Sequence, residues 1–422
     1  MSFVELMDAF NSGDEVICYK TMKARDFMEF NPKESLKKGE LATKVAMDKL
    51  LPFEKFISSM EQAPFSGGSK FKNGDTLLAR ITPCLENGKT AFVDGLKEGE
   101  VAFGSTEFIV LRGRKGVSDP QFIYYLAISS FFRNIAIKSM VGSSGRQRVQ
   151  IGALEDIDIK VPSLEEQRRI ASRLALLDSK IALNSRINDN LQKQARSLFN
   201  EFFIHSPEGE ATLKTELGLF PSNFSVIKTG DLPILITDYV ANGSFASLKE
   251  NVQLYQERNY AYFIRNTDLK SGTFNVFVDE HSYHFLAKSK LFGGEIIVSN
   301  VGDVGSVFLC PKLDAPMTLG NNIIMIKPLQ EELRYYLYIW FKWSLGQNLI
   351  QSIKGGSAQP KFNKTDFKSL PIVLPSKDIL EKFHTLVRPI FEAIEQNQAE
   401  SRTLTRLRDA LLQNMPSFGT NA

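Results

Sequence analysis

The pattern of apolar and polar positions is clearest between Ser163 and Phe203, a stretch that contains no proline or glycine. Ser163 and Glu166 have the spacing of a capping box, which satisfies the first free backbone N–H groups of a helix. The pattern predicts one continuous helix, about 60 Å long, which needs a partner helix. Its apolar seam recurs at steps of four and three, as in a coiled coil, through Ile170, Leu174, Leu177, Ile181, Asn184, Asn188, Leu191, Ala195, Leu198 and Phe202.

An internal repeat supplies that partner. Shifting the chain against itself by 213 residues places Gly142 on Gly355, Pro162 on Pro375 and Ile181 on Ile394. The match continues through a second predicted helix, residues 376–416, and a looser match extends upstream into the preceding domains. The corresponding seam of the second helix runs through Val387, Ile390, Ile394, Asn397, Leu404 and Leu411.

Three features of the helices leave specific expectations. Pro389 lies inside the second helix and is expected to kink it or to split off its first turns, and Arg408 places a charge in the seam. Asn184 and Asn397 occupy equivalent positions in the two copies. They would meet if the helices packed antiparallel about a pseudo-two-fold axis, or they would be solvated at the edge of the seam, and the sequence leaves both readings open.

The parts outside the long helices have mixed character. Short β-rich runs bounded by glycine, proline and asparagine are predicted at residues 76–81, 90–93, 107–111, 295–298, 307–309 and 322–326. Asp119 and Pro120 predict the start of a helix of about twenty residues, and a corresponding helix is expected from about Gln330. The predicted fold is α+β: two repeated globular α/β domains, 1–162 and 204–375, separated by two long antiparallel coiled-coil helices, 163–203 and 376–416, with pseudo-two-fold symmetry.

Composition narrows the class of protein only slightly. A net charge of +3 over 422 residues is too small to identify a partner. Cys18, Cys84 and Cys310 are far apart, so neither a disulfide framework nor a zinc site is indicated. No apolar run has the length of a membrane span, and the start of the chain does not resemble a signal peptide. These features predict a cytoplasmic protein that does not enter a membrane.

Catalytic and metal-binding motifs are not indicated. The tripeptide Gly88-Lys89-Thr90 resembles the end of a phosphate-binding loop, but the required first glycine is replaced by Pro83. His281 and His284 have the spacing of half a metal site without nearby cysteine or acidic ligands, so a structural or surface role is favoured. No motif of an amino methyltransferase is present either. We therefore expect no catalytic residues and no metal in this chain.

Two stretches in each copy have the composition of nucleic-acid contact surfaces. Small residues allow close approach of the backbone, and arginine, lysine and glutamine supply donors for bases and phosphates. The alternatives are a flexible solvated loop and an ordinary polar strand end. The candidates in the first copy are Arg80, Thr82, Lys89, Ser143, Ser144, Arg146, Gln147 and Arg148. The candidates in the second copy are Asn300, Lys354, Ser357, Gln359 and Lys361.

The whole arrangement resembles the DNA-specificity subunits of type I restriction-modification systems. The resemblance rests on residues 73–93 with residues 104–111, on the tripeptides that open the long helices at Pro162 and Pro375, and on the helix sequence from Glu165 to Ile181. It implies two target-recognition domains, each reading half of a split sequence in double-stranded DNA, with the helices packed antiparallel as a spacer. Two methyltransferase subunits and restriction subunits with translocase and nuclease activity would dock on this frame. S-adenosylmethionine, ATP and magnesium would be bound by those partners, and this chain would hold no cofactor.

Two other classes of function remain open at this point. The chain could be a nuclease or methyltransferase with an unrecognised site in a globular copy. It could also be a coiled-coil adaptor that joins protein-binding domains without reading DNA. Incubation of the chain alone with DNA, magnesium and S-adenosylmethionine tests the first, and selective DNA binding by its complex tests the second.

Overall fold

The computed structural model describes residues 18–143, 145–204, 212–356 and 359–414. By internal packing the chain divides into two units. Unit 1 contains the described residues up to Asn184 together with those from Thr403, and unit 2 is Ser185–Arg402. Both long helices contribute to both units, so the predicted four-part division at residues 162, 203 and 375 stays a prediction.

The strands in chain order are β1 Lys20–Lys23, β2 Met28–Phe30, β3 Leu41–Val45, β4 Glu61–Pro64, β5 Ser69–Phe71, β6 Thr76–Ala79, β7 Thr90–Phe92, β8 Ala102–Gly104, β9 Phe108–Gly113, β10 Asp158–Val161, β11 Thr212–Thr215, β12 Gly218–Pro221, β13 Ser225–Lys228, β14 Ile234–Asp238, β15 Leu254–Tyr255, β16 Ala261–Ile264, β17 Phe277–Val278, β18 Lys290–Leu291, β19 Ile296–Ser299, β20 Val307–Leu309, β21 Met317–Leu319, β22 Ile323–Pro328 and β23 Pro371–Leu374.

The α-helices in chain order are α1 Ala24–Phe27, α2 Pro120–Ile128, α3 Ser130–Lys138, α4 Ile151–Glu155, α5 Leu164–Phe203, α6 Phe245–Asn251, α7 Asn266–Ser271, α8 Glu280–Phe285, α9 Glu332–Lys342, α10 Ser344–Ser352, α11 Lys364–Ser369 and α12 Lys377–Asn414. Short 3₁₀ turns lie at Met47–Lys49, Thr229–Asp231, Tyr239–Asn242 and Ala287–Ser289.

The two units repeat one sheet topology. In unit 1 the strand order is β2-β9-β6-β7 in one sheet and β4-β3-β8-β5 in another. Unit 2 repeats the first order as β14-β22-β19-β20, and it repeats the core of the second as β16-β21-β18. Even the parallel pairs correspond, because β3 with β8 and β16 with β21 are the parallel neighbours in their sheets. The predicted α+β fold class with an internal repeat is confirmed, and the repeat includes strands whose sequences do not match.

The predicted helix of about twenty residues after Pro120 is wrong in its length. It is broken at Ser129, whose backbone is extended and whose hydroxyl accepts a hydrogen bond from the N–H of Phe132, so that α3 begins with its own cap. The helix of unit 2 is broken at the corresponding place, where Trp343 separates α9 from α10. Side-chain capping at Ser129 outweighs the apolar pattern that runs through both helices.

The long helices form as predicted from their seams. Ser163 caps α5 by accepting a hydrogen bond from the N–H of Glu166, at 3.2 Å. The helix α12 continues through Pro389 without ending. Packing supplies the reason: Phe383, Val387 and Phe391, on both sides of the proline, are buried in the core of unit 2, and this burial offsets the loss of one backbone hydrogen bond. Of the two expectations for this proline, the splitting off of the first turns is wrong, and the kink stays a prediction. No helix in the described ranges is long and apolar enough to cross a membrane.

Within unit 2, α5 and α12 run antiparallel. Phe203 contacts Phe383 with ring centroids 4.8 Å apart, whereas Asn188, fifteen residues earlier on α5, accepts a hydrogen bond of 2.9 Å from the side-chain amide of Asn397. The predicted seam asparagine Asn397 thus makes a contact with an asparagine of the other helix. Its pairing with Asn184, which is itself fully buried, stays a prediction.

Within unit 1 the helices are also antiparallel and are joined by buried charges. The Arg408 guanidinium donates to the Asp178 carboxylate at 2.8 Å, with side-chain exposures of 7% and 3%. Tyr125 of α2 donates to the same carboxylate at 2.6 Å, and Lys55 donates to the Tyr125 oxygen at 3.1 Å. The charge that interrupts the predicted seam at Arg408 is therefore paired inside unit 1.

Candidate nucleic-acid interface

In unit 1 the structure brings the two predicted contact stretches together. The loop from Gly142 to Val149 is closed at its base by two backbone hydrogen bonds between Val141 and Arg148, of 3.0 and 2.9 Å. It is fastened to the end of β6 because the N–H of Thr82 donates to the carbonyl of Gln147, and the N–H of Val149 donates to the carbonyl of Arg80. The loop and the strand end therefore form one surface.

Unit 2 fastens its corresponding loop in the same way. The N–H of Gly302 donates to the carbonyl of Pro360 at 2.8 Å, and the N–H of Phe362 donates to the carbonyl of Asn300 at 3.1 Å. Two further bonds between Gly355 and Lys361 close the loop at its base. Buried side chains, Val149 in unit 1 and Phe362 in unit 2, anchor the C-terminal end of each loop. The repeated hydrogen bonds show that the loops occupy equivalent positions on equivalent scaffolds.

Glycines permit the tight path of both loops. A Cβ atom added to Gly142 would lie 2.9 Å from the carbonyl oxygen of Arg146, and one added to Gly356 would lie 2.5 Å from that of Gln359. Both glycines have positive φ, of 141° and 85°. A larger residue would force the loop backbone apart.

Glu107 organises the charges of the first surface. Its carboxylate accepts from Nε and Nη2 of Arg148, at 2.7–3.0 Å, and lies 4.0 Å from Nε of Arg80. Hydrogen bonding by Arg148 holds the pKa of the Glu107 carboxyl below its usual range, against the opposing effect of burial. The carboxylate thus orients Arg148 through hydrogen bonds, and it attracts Arg80 across 4.0 Å without a hydrogen bond to its Nε.

The remaining first-copy candidates differ in availability. Arg146 is exposed, and its side chain has no partner among the residues that the structure describes. Ser143 is also exposed, Gln147 is half-buried, and Thr82 donates to Glu86 at 3.2 Å. The Lys89 side chain is not simply solvated, because its ammonium donates to the carbonyl of Met47 at 3.0 Å.

In the second copy, Asn322 takes the place beside the candidates that Glu107 has in the first copy. Asn300 is half-buried and donates through its side-chain amide to the carbonyl of Phe362 at 3.2 Å, so it supports the loop. Gln359, Lys361 and Lys354 are exposed. Ser144 and Ser357, predicted in the two loops, lie outside the described residues.

Sequence reasoning missed the residues that follow β8 and β21. Glu107 and Asn322 both lie before the central strand of their sheet, and each accepts a backbone hydrogen bond, from Arg80 at 2.9 Å and from Asn300 at 3.1 Å. Asn322 also adopts a left-handed backbone with φ of 66°. The sequence did contain a signal for these two residues, because the run before β9 resembles the run before β22. The first surface therefore presents arginines and a carboxylate, and the second presents amides and lysines.

The chain thus consists of two copies of one α+β domain, and each copy presents a fastened loop of polar side chains at an equivalent position. The chain belongs to the family described as type I restriction modification DNA specificity domain, whose model matches residues 19–193 and 221–401. The two matches coincide with the two copies of the repeat.

Named relatives agree with this family. The chain is 24% identical over 416 residues to the type I restriction enzyme HindI specificity subunit of Haemophilus influenzae, covering 84% of this chain and 88% of the relative. It is 28% identical over 301 residues to the type I restriction enzyme MjaIX specificity subunit of Methanocaldococcus jannaschii, covering 69% and 67%. A crystal structure of a type I restriction-modification system S subunit from M. genitalium has a similar fold, with a TM-score of 0.54, 16% identity, and coverage of 95% of this chain and 97% of that one.

Proposed function

We propose that this chain is the DNA-specificity subunit of a type I restriction-modification complex, and that each of its domains reads one half of a bipartite target in double-stranded DNA. The observation that carries the proposal is the pair of equivalent loops. The same backbone hydrogen bonds fasten both loops, yet the exposed donors differ: Arg146 in one and Gln359 in the other. Equivalent scaffolds with different donors suit two half-sites of different sequence.

The chemistry of the two surfaces suits different bases. An arginine fork matches the acceptors of guanine in the major groove, and a glutamine amide matches adenine. Glu107 can accept from the amino group of cytosine while it orients Arg148. Lys354 and Lys361 supply positive charge for the phosphates beside the second half-site.

The proposal extends to the partners of the chain. Two methyltransferase subunits and restriction subunits with translocase and nuclease activity dock on it, and they bind S-adenosylmethionine, ATP and magnesium. This chain contributes binding and positioning and no catalytic group. Family membership supports this division of labour.

Mapping of methylated adenines tests the proposal. A genome expressing the subunit with its methyltransferase should show one bipartite motif. Arg146→Ala should weaken methylation about ten-fold at that motif and relax the sequence of one half-site only, because a lost base contact costs about 1–3 kcal/mol. Gln359→Ala should relax the other half-site.

Matched controls and contrary outcomes sharpen this test. Lys115→Ala and Gln330→Ala remove exposed polar side chains elsewhere in the same two domains and should leave the motif unchanged. Equal loss at both half-sites in either loop variant would contradict separate reading. Methylation or cleavage of DNA by the chain alone would indicate an enzyme, and assembly with the methyltransferase without selective DNA binding would indicate an adaptor.

A further inference from the structure

Phe53 has a backbone conformation that a phenylalanine rarely adopts. Three residues other than glycine have positive φ in the described part of the chain: Asn31 at 50°, Asn322 at 66° and Phe53 at 61°. Asparagine tolerates this left-handed region because its short side chain bonds locally. A bulky aromatic residue there is an outlier, and such outliers concentrate where they serve binding.

In the second domain the connection after the matching strand reaches the left-handed region with a glycine. The preceding strands β3 and β16 correspond, because each is parallel to its neighbour, β8 or β21. Phe53 lies eight residues after the end of β3 at Val45, and Gly272, with φ of 70°, lies eight residues after the end of β16 at Ile264 and caps α7. The connections between them differ, a 3₁₀ turn in one copy and α7 in the other, yet both arrive at a left-handed residue.

The structure holds the Phe53 side chain in place without burying it. Phe53 is 54% exposed. Its ring lies on Gly88, where an added Cβ would come within 2.6 Å of it, and the guanidinium of Arg133 lies 5.0 Å from the ring centroid. Arg133 is itself fixed, because its Nη2 donates to the carbonyls of Leu85 and Glu86.

Phe53 lies against the same connection that builds the candidate interface. The connection from β6 to β7 starts at Arg80, to which the candidate loop is fastened. Near its end, the carbonyl of Gly88 accepts from the N–H of Phe53 at 3.0 Å. Lys89, the next residue, pairs with Pro52. One cation, the Arg133 guanidinium, lies against the exposed ring, and the connection beside the ring carries Arg80. Because DNA combines phosphate charge with apolar base surfaces, this setting favours DNA over another protein.

We propose that Phe53 is a DNA-contacting residue of the first domain, an aromatic ring held outward to pack against the bases of its half-site. The inference rests on the proposed function. Aromatic side chains contact bases by stacking, by wedging between base steps or by touching thymine methyl groups. Gly272 provides no such ring, so the second half-site is read without this contact.

Phe53→Gly tests the assignment, because glycine accepts the left-handed backbone without strain. In the assembled complex, affinity for the mapped target should fall about ten-fold. Affinity for DNA whose first half-site is scrambled should change less than two-fold, and the thermal transition of the full chain should not fall. Leu41→Ala, which shortens an apolar side chain that is 67% exposed in the same domain, is the control and should leave all three unchanged.

Unchanged target affinity in Phe53→Gly, with the Arg146→Ala effect intact, would overturn this inference and leave the proposed function standing. Loss of both effects would overturn both. A lowered thermal transition with proportional loss of binding would mean that Phe53 supports the fold, and loss of methyltransferase assembly would mean that the ring contacts a protein.

Discussion

In each unit a long helix packs against the globular part at a contact that we call the junction. The two junctions lie at equivalent positions of the repeat but have opposite chemistry. At the repeat offset, Asp178 in unit 1 corresponds to Phe391 in unit 2, and Arg408 corresponds to Ala195. In unit 1 the buried carboxylate and guanidinium pair at 2.8 Å. In unit 2 the Phe391 ring stacks on Tyr335 with centroids 4.4 Å apart and an interplanar angle of 6°.

This difference shows that one fold can be held together in two ways. An aromatic junction gains from each ring it buries, independently of pH. A buried ion pair gains little over an apolar pair, but either charge left alone is costly. Burial alone would lower the pKa of Arg408, yet Asp178 and Asp409 raise it above its ordinary value, so the guanidinium stays charged. The junction in unit 1 therefore depends on complementary charges, and the junction in unit 2 depends on packed rings.

Removing one charge should have the largest effect. Asp178→Ala leaves the Arg408 guanidinium buried with only the half-exposed Asp409 beside it, so unit 1 should lose about 4 kcal/mol of unfolding free energy. The double variant Asp178→Leu with Arg408→Met should recover most of it. Hydrogen exchange of the full chain, read by mass spectrometry, reports each unit separately. The exposed neighbour Ser179→Ala is the control, and equal loss of protection in both units would contradict the comparison.

Truncating the aromatic junction comes next. Phe391→Ala removes a ring that is 6% exposed, and unit 2 should lose about 3 kcal/mol. The loss should be the same at pH 7 and pH 9 and at low and high salt, because Phe391 carries no charge and His384, which stacks on Tyr335, has a pKa lowered by burial and stays neutral in this range. Glu395→Ala, an exposed position one helical turn further on, is the matched control. A strong dependence on pH in the same hydrogen-exchange measurement would show that the junction is not purely apolar.

Lys55 should make the stability of unit 1 rise with pH. Burial lowers the pKa of its ammonium from 10.5 to about 8, against the attraction of Asp178 and other carboxylates. Below about pH 8 both folded and unfolded chains carry the proton. Between the two pKa values the unfolded chain binds more protons, so the unfolding free energy should rise by about 2 kcal/mol from pH 8 to pH 10.

The matched variant for this titration is Lys55→Met, which keeps an unbranched side chain among the four rings around the ammonium and removes the titrating group. The unfolding free energy of the wild type minus that of Lys55→Met should increase with pH. A constant difference across pH 7 to pH 10 would show that Lys55 does not titrate in this window.

The smallest effect is expected at the amide contact of the helices. Asn397→Ala removes the donor to Asn188, which is 8% exposed, and unit 2 should lose about 1 kcal/mol. Gln398→Ala, an exposed neighbour on α12, should change nothing measurable. A loss as large as that of Phe391→Ala would mean that the asparagine contact, and not the aromatic cluster, holds the helix pair in unit 2.

Local pattern was sufficient for much of this protein. Unbroken heptad spacing predicted α5, because a helix seam is set by the positions of apolar residues along one chain. Comparison of the chain with itself, shifted by 213 residues, revealed the duplication. The ends of the predicted β-rich runs lie within a residue or two of those of β6, β7, β9, β19, β20 and β22. The loops were found because glycines and cationic side chains recurred in both copies. The break at Ser129 and the passage through Pro389 could not be predicted, since each depends on a balance between local preference and packing.

The sequence by itself determined the repeat, the long helices and the family, because these follow from spacing and similarity along one chain. Only the tertiary structure decided what each recurring position does. It paired Arg408 with Asp178, residues 230 positions apart, and it placed Glu107 between Arg80 and Arg148. It also showed Phe53 in a backbone region that its residue type disfavours. Such facts depend on which residues, distant in sequence, come together in the fold. Local sequence patterns do not specify these contacts.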